Sequence, residues 1–412
     1  MVKRIMDEKA VLVIIDGLGD LPAPKKTPLQ LAKKPNLDAL AKEGIVGLVA
    51  PLGRGITPGS DTSHLQYFGY EPQKYYTGRG VLEALGAGIR LREGDIAFRS
   101  NFATLNGSEI VDRRAGRIET DAAKRLEATV NMVLDDVEII FKSSVEHRGV
   151  VVLRGEGLSP AVSDTDPHTT SRILHCEPLD GSAEAKKTAD IINRFTNEVR
   201  ARLEKHHENL KRKKIGLPLA NGILLRGASM YKEIDNIKTK FGIKAACVAG
   251  GALYKGVARY VGMDVIEVKG ATGTKDTDLS AKVNAVFDCL NNYDLVFLHI
   301  KACDSFGHDG DVRGKTKMIE KIDKYVIGPL RKSVADYNAA IIVTGDHSTP
   351  CLRKAHAGYE VPILVYGKNE RKDDVKKFDE ISCMKGGLGH IEGKDLMPII
   401  LNIIKKGKMY GS

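Results

Sequence analysis

The segment AAIIVTGDHSTP, Ala339 to Pro350, runs from an apolar, β-branched stretch straight into an aspartate and a histidine. A strand with no polar side chain from Ala339 to Val343 is covered on both faces, which is the mark of a parallel sheet flanked by helices. In such sheets the functional groups gather beyond the carboxyl ends of the strands. Asp346 and His347 stand at that position, and other strands end in the same way. VLVII (Val11 to Ile15) stops at Asp16, and DLVFLHI (Asp294 to Ile300) leads through KAC to Asp304 and, within DSFGH, His308. A further histidine, His356, follows nine residues after His347.

The same alternation organises much of the chain. GILLRG from 222, AACVAGG from 245, DVIEV from 264 and VPILVYG from 361 read as strands, with helical patterns such as Asp278 to Leu290 and Lys317 to Asp336 between them. Near the start, Thr27-Pro28 and Pro35 open helices. From about residue 95 to 215 the rhythm shifts to shorter strands and polar turns such as RRAGR and SDTDPHTT. The expected fold is α/β, a doubly wound, largely parallel sheet built from residues 1–95 and 216–412 and interrupted by a smaller α+β domain at 96–215.

Sixty-three basic against 53 acidic side chains leave a formal charge of +10, which suits either a nucleic acid or a small, highly anionic substrate. Much of the excess lies in RARLEKHHENLKRKK, Arg200 to Lys214, on what reads as one long helix with no aromatic residues interleaved for base stacking. A solvated helix face is expected there, and no nucleic-acid partner. The six cysteines form no C-x-x-C pair, which points to a reducing compartment. Apolar runs fall short of the roughly 18 residues of a membrane span, so a cytoplasmic protein without membrane contact is expected. Oligomeric state stays open.

Carboxylates and imidazoles together suit a borderline divalent ion. Asp16, Asp304, His308, Asp346, His347 and His356 exceed the needs of one ion and suggest two, about 4 Å apart. Each piece has a plainer reading: Asp16-Gly17 as a turn, Asp346 as a helix N-cap, DSFGH as a solvated loop. GITPGSDTSHL (Gly55 to Leu65) places Ser60 at the start of a helix, where backbone N–H groups favour a phosphate. Ser60 reads there as a nucleophile or as a simple capping residue.

Taken in order, Asp16, Ser60, Asp304-x-x-x-His308, Asp346-His347 and His356 resemble the metal and nucleophile signature of the alkaline phosphatase superfamily. GSDTSHL, YYTGRG, DRRAGRI, SDTDPH, LYKGVAR, KACDSFGHDGD and TGDHSTP further resemble the archaeal type of 2,3-bisphosphoglycerate-independent phosphoglycerate mutase. The resemblance implies one ion on Asp16, Ser60, Asp346 and His347, and a second on Asp304, His308 and His356. It implies Mn²⁺ first, with Zn²⁺, Co²⁺ or Mg²⁺ as alternatives, no 2,3-bisphosphoglycerate cofactor, and Ser60 as the residue that carries the phosphoryl group of a phosphoglycerate substrate. Bacterial relatives are longer and place Asn where this chain has Gly59, so the substrate contacts are chosen by chemistry: Asp166 and His168 for the glycerate hydroxyls or proton transfer, and Arg226, Arg114, Arg117 and Lys255 for its anionic groups. A phosphatase or phosphodiesterase on the same core is the competing reading.

Overall fold

The computed structural model describes residues 8–22, 25–409 and 411. In chain order its strands are β1 (Lys9–Ile15), β2 (Ile45–Ala50), β3 (Ile96–Asn106), β4 (Glu109–Asp112), β5 (Met132–Leu134), β6 (Val137–Ser143), β7 (Arg148–Arg154), β8 (Gly222–Met230), β9 (Ala245–Val248), β10 (Asp264–Val265), β11 (Leu295–Ile300), β12 (Ala339–Thr344), β13 (Val361–Tyr366) and β14 (Gly389–Glu392). The chain divides into two compact units, one of residues 1–76 with 235–412 and one of residues 77–234.

The larger unit holds an eight-stranded sheet in the order β10-β9-β11-β1-β12-β13-β2-β14. Its pairings are parallel except those of β13, which runs antiparallel to both β12 and β2. Alternate residues explain why the central strands are apolar throughout. Val11, Val13 and Ile15 pack with Val296, Leu298 and Ile300 against helices that contribute Leu37, Leu40, Val283, Val286, Ile319 and Ile322. On the opposite face Phe297 meets Phe68 with ring centroids 5.0 Å apart. Every residue from Ala10 to Ile15 is fully buried, each large one contributing about 1.5–3 kcal/mol of hydrophobic stabilisation. The helical stretch expected from Lys317 begins earlier, at Val312, because Asp311 caps it through the Gly314 N–H.

The smaller unit is an antiparallel sheet ordered β4-β3-β7-β6-β5, with β8 added on β3, and it is packed by the helices Thr120–Val130 and Ala183–Lys205. GILLRG therefore lies here, in β8, and not in the large sheet. Its short apolar run fits either sheet; what places it is antiparallel pairing with β3, Leu225 beside Ser100, and packing of Ile223 and Leu225 among Phe102, Ile118 and Val199. The helix Arg79–Gly86 joins the same unit, the Val81 N–H donating to Ser229 Oγ. Both boundaries thus fall outside the expected 96–215. The basic stretch is two helices, Ala183–Lys205 and His207–Lys214, broken at His206, whose extended backbone lets its ring accept from the Glu208 N–H. No helix among the described residues is long and apolar enough to cross a membrane.

A buried lysine ties together the segments that follow β1 and β12. The Lys315 ammonium, on the helix Val312–Ile322, donates to Gly19 O at 3.1 Å, Thr349 O at 3.0 Å and Asp20 Oδ2 at 2.8 Å, with no exposure of either side chain. The Thr349 N–H donates to Gly19 O and the Cys351 N–H to Asp20 Oδ1. Gly17 starts this crossing with φ of 66°, and a Cβ there would lie 2.7 Å from Asp304 Cα. Replacing Lys315 by Met should strand the buried Asp20 carboxylate and lower unfolding stability by about 3–5 kcal/mol in urea titrations. An unchanged midpoint would show that the cluster contributes nothing net.

Candidate metal centre and nucleophile

Three neighbouring parallel strands deliver the acidic groups. β1 lies between β11 and β12 with Ile15 beside Ile300 and Ile14 beside Thr344, so the three chains leave the sheet side by side, within about 10 Å. Asp16 follows β1 directly and Asp346 lies two residues past β12. Asp304 sits in the first turn of the helix Ala302–Asp309, and His308, four residues on, shares its face. Ser60 is the first residue of the helix Ser60–Tyr67, after Gly59 at the cap. The loop carrying His356 is folded back by the bridge between Ser348 and Ala357.

The six expected ligands and Ser60 converge. Asp304 Oδ1 lies 3.3 Å from His308 Nε2 and 3.4 Å from His356 Nε2. His347 Nε2 lies 3.4 Å from Asp16 Oδ1, 3.4 Å from Asp346 Oδ2 and 3.2 Å from Ser60 Oγ. Asp304, His308 and His356 offer ligand atoms within 4.8 Å of one another, as do Asp16, Asp304 and His347, so the two sets adjoin. The imidazoles are oriented from behind. His308 Nδ1 donates to Lys354 O and His356 Nδ1 to Pro58 O, each at 3.0 Å. His347 Nδ1 meets Thr349 Oγ1 at 2.9 Å, and that hydroxyl gives its one proton to Asp304 Oδ1 at 2.7 Å, so it accepts from the ring. In the neutral ring, the form that binds a metal, each Nε2 then has its lone pair turned into the site.

These residues fit divalent ions. Nε2 atoms face carboxylate oxygens at 3.3–3.4 Å, and the buried Asp16 Oδ1 and Asp346 Oδ2 meet no hydrogen-bond donor among the described residues. A cation in that space satisfies both kinds of group. The fields agree with ionised ligands. Burial pushes the Asp16 carboxyl up, but Lys301, His299 and His347 outweigh it and hold the group well below the usual carboxylate range. Asp304 is likewise lowered against its burial by His356, Lys301 and His347. Burial pulls His347 down, keeping the ring neutral as a ligand must be.

Several residues around this centre escape a reading of the sequence. Asp16 Oδ2 accepts from the Tyr254 hydroxyl and lies 3.3 Å from Lys301 Nζ and 3.1 Å from His299 Nε2, and the Tyr254 ring stacks on His299 with centroids 3.5 Å apart. His299 and Lys301 did carry a signal, as polar residues at the end of an otherwise apolar strand. Tyr254 on its helix and Thr349 in a turn carried none.

In the smaller unit Asp166 is buried and already fully engaged. Arg113 binds it in two-pronged fashion at 2.9 and 2.7 Å, Arg226 reaches it at 3.1 Å, and the His168 N–H donates to it at 3.0 Å. Asp166 thus organises arginines, where glycerate hydroxyls had been expected as its partners. Burial raises its carboxyl, yet Arg113, the His168 N–H and Arg226 bring it below the ordinary value. The exposed His168 ring turns to Asp164, at 3.3 Å. Arg114 and Arg117 lie exposed in a turn, the latter with φ of 52°, while Arg113 beside them makes the buried contact. Lys255, in the larger unit, is tied to Glu267 at 2.6 Å.

Comparison with known proteins identifies the family. Residues 41–209 match the family model described as 2,3-bisphosphoglycerate-independent phosphoglycerate mutase. The chain is 46% identical over 411 residues to the enzyme of that name, numbered 1, from Methanocaldococcus jannaschii, covering 98% of this chain and 99% of that protein. The Archaeoglobus fulgidus counterpart is also 46% identical over 410 residues, covering 98% and 99% of the two chains. The solved cofactor-independent phosphoglycerate mutase of Thermoplasma acidophilum superposes with a TM-score of 0.74 at 35% identity, covering 96% of this chain and all of that one. Identity of this extent, over nearly the whole of both chains, leaves one conclusion: the chain belongs to the family of 2,3-bisphosphoglycerate-independent phosphoglycerate mutases.

Proposed function

We propose that the protein interconverts 3-phosphoglycerate and 2-phosphoglycerate through a phosphoserine on Ser60. The observation that carries this reading is the Ser60 hydroxyl, 3.2 Å from His347 Nε2 at the start of a helix and beside the Asp16 and Asp346 carboxylates. Divalent ions held by Asp16, Ser60, Asp346 and His347, and by Asp304, His308 and His356, would acidify the serine hydroxyl and offset charge on the phosphoryl oxygens. Mn²⁺ is the first choice, with Zn²⁺, Co²⁺ or Mg²⁺ as alternatives.

Ser60 Oγ forms a bond to phosphorus as the bond to glycerate O3 breaks, and the departing alkoxide takes a proton. Glycerate then presents O2, whose attack on the same phosphorus restores the serine. Water must be kept from phosphoserine in the interval, and a grip on the glycerate anion serves that end. Within the smaller unit, Arg113 and Arg226, held in place by Asp166, form a cationic pair suited to an anionic group such as a carboxylate. Six buried free thiols suit the cytoplasm as its setting.

Phosphorus NMR of the protein with 3-phosphoglycerate, a divalent ion and no 2,3-bisphosphoglycerate should show 2-phosphoglycerate with little inorganic phosphate. Ser60→Ala should fold and be inactive, and mass spectrometry of quenched wild-type reactions should find phosphate on Ser60. Inorganic phosphate appearing as fast as the isomer would favour the phosphatase. Thr349→Val, which removes the hydroxyl joining His347 to Asp304, should weaken divalent-ion binding by about 10–100-fold in calorimetric titrations; unaltered affinity would deny that hydroxyl its orienting role. Arg226→Ala should raise the KM for 3-phosphoglycerate by about tenfold or more and increase the share of hydrolysis. A lower melting temperature with an unchanged product ratio would make the arginine cluster purely structural.

A further inference from the structure

Lys301 directly follows β11, and its ammonium lies 2.6 Å from Asp304 Oδ2 and 3.3 Å from Asp16 Oδ2. These carboxylates belong to different ligand sets of the proposed centre. In each, the other oxygen faces the imidazoles: Asp304 Oδ1 meets His308 and His356, and Asp16 Oδ1 meets His347. One cation therefore spans both sets through the oxygens turned away from the imidazoles. Its side chain is about a quarter exposed, at 27%, while both carboxylates are almost wholly buried. The Tyr254 hydroxyl, which also donates to Asp16 Oδ2, is a neutral partner.

We propose that Lys301 is a positioning residue, a permanent counter-charge that joins the two ligand sets and keeps them assembled when no ion is bound. This rests on the metal reading of the site. Three carboxylates, Asp16, Asp304 and Asp346, crowd a largely dry region. Without metal, Lys301 relieves their repulsion; with two divalent ions present, the positive charge is already in excess and the lysine adds little. Its loss must then destabilise the metal-free protein more than the loaded one, and by linkage the ions must bind more tightly. A lysine that only aimed the carboxylate oxygens would act in the opposite sense, and its loss would loosen the ions.

The test uses full-length wild type, Lys301→Met and Lys301→Arg, each stripped with chelator and dialysed. Melting temperatures are measured without metal and with saturating MnCl₂, and Mn²⁺ affinity by titration calorimetry. Lys301→Met should melt below wild type when stripped, the gap should narrow with Mn²⁺, and Mn²⁺ should bind about tenfold more tightly. Lys301→Arg should behave as wild type. A variant that folds only with Mn²⁺ present is the extreme of the same result. Looser Mn²⁺ binding, an equal loss of melting temperature in both states, no change at all, or failure to fold under both conditions would overturn the proposal. Wild-type protein that binds none of Mn²⁺, Zn²⁺, Co²⁺ or Mg²⁺ would instead overturn the metal reading beneath it.

Discussion

The parallel pairing of β11, β1 and β12 is the constraint on which the centre depends. Strands about 4.8 Å apart, running in one direction, release their chains on one edge, and here each chain carries a carboxylate within four residues of that edge. Bringing Asp16, Asp304 and Asp346 together in a buried region is electrostatically unfavourable by itself. Apolar burial on both faces of the sheet holds them there, and cationic or proton-donating groups must compensate locally.

Much of the surrounding structure can be understood as that compensation. The Gly17 N–H donates to Asp346 Oδ1, Thr349 serves Asp304 and His347 together, and Tyr254, His299 and Lys301 share Asp16 Oδ2. Lys315 works one layer further out, fastening the loop after β1 to the loop after β12 through two backbone carbonyls and Asp20. Without that attachment each loop would be free to carry its aspartate away from the others. Such supporting contacts decide whether a set of ligands is preorganised or merely nearby.

The smaller unit solves a related problem with the charges reversed. Arg113 and Arg226 converge on one buried aspartate, and Arg226 also reaches Asn101 at 3.3 Å. Two guanidinium groups held by a shared carboxylate keep most of their N–H donors for other partners, since each carries five. The antiparallel sheet beneath them is what allows this, because β8 lies beside β3 and sets Arg226 opposite Arg99 in register.

The strands, their apolar run lengths and the acids at their ends were legible in the sequence, because burial on both faces and a polar residue just past a strand leave a one-dimensional trace. Asp16, Asp304, His308, Asp346, His347 and His356 stood out as candidates on that basis, whereas Ser60 by itself reads as a capping residue and drew notice through the family resemblance. Which sheet a short apolar run joins was not legible: GILLRG satisfies the pattern of either, and only pairing with β3 places it. Nor was the choice among neighbouring arginines, since Arg113, Arg114 and Arg117 differ in which way a turn directs them. Tyr254 and Thr349 owe their places to contacts among segments far apart in the chain, and such contacts leave no local pattern. The sequence by itself determined the chemistry gathered at one edge of a parallel sheet; tertiary structure decided how each charge there is oriented and balanced, because Coulomb and hydrogen-bond energies depend on distances between residues that only folding brings together.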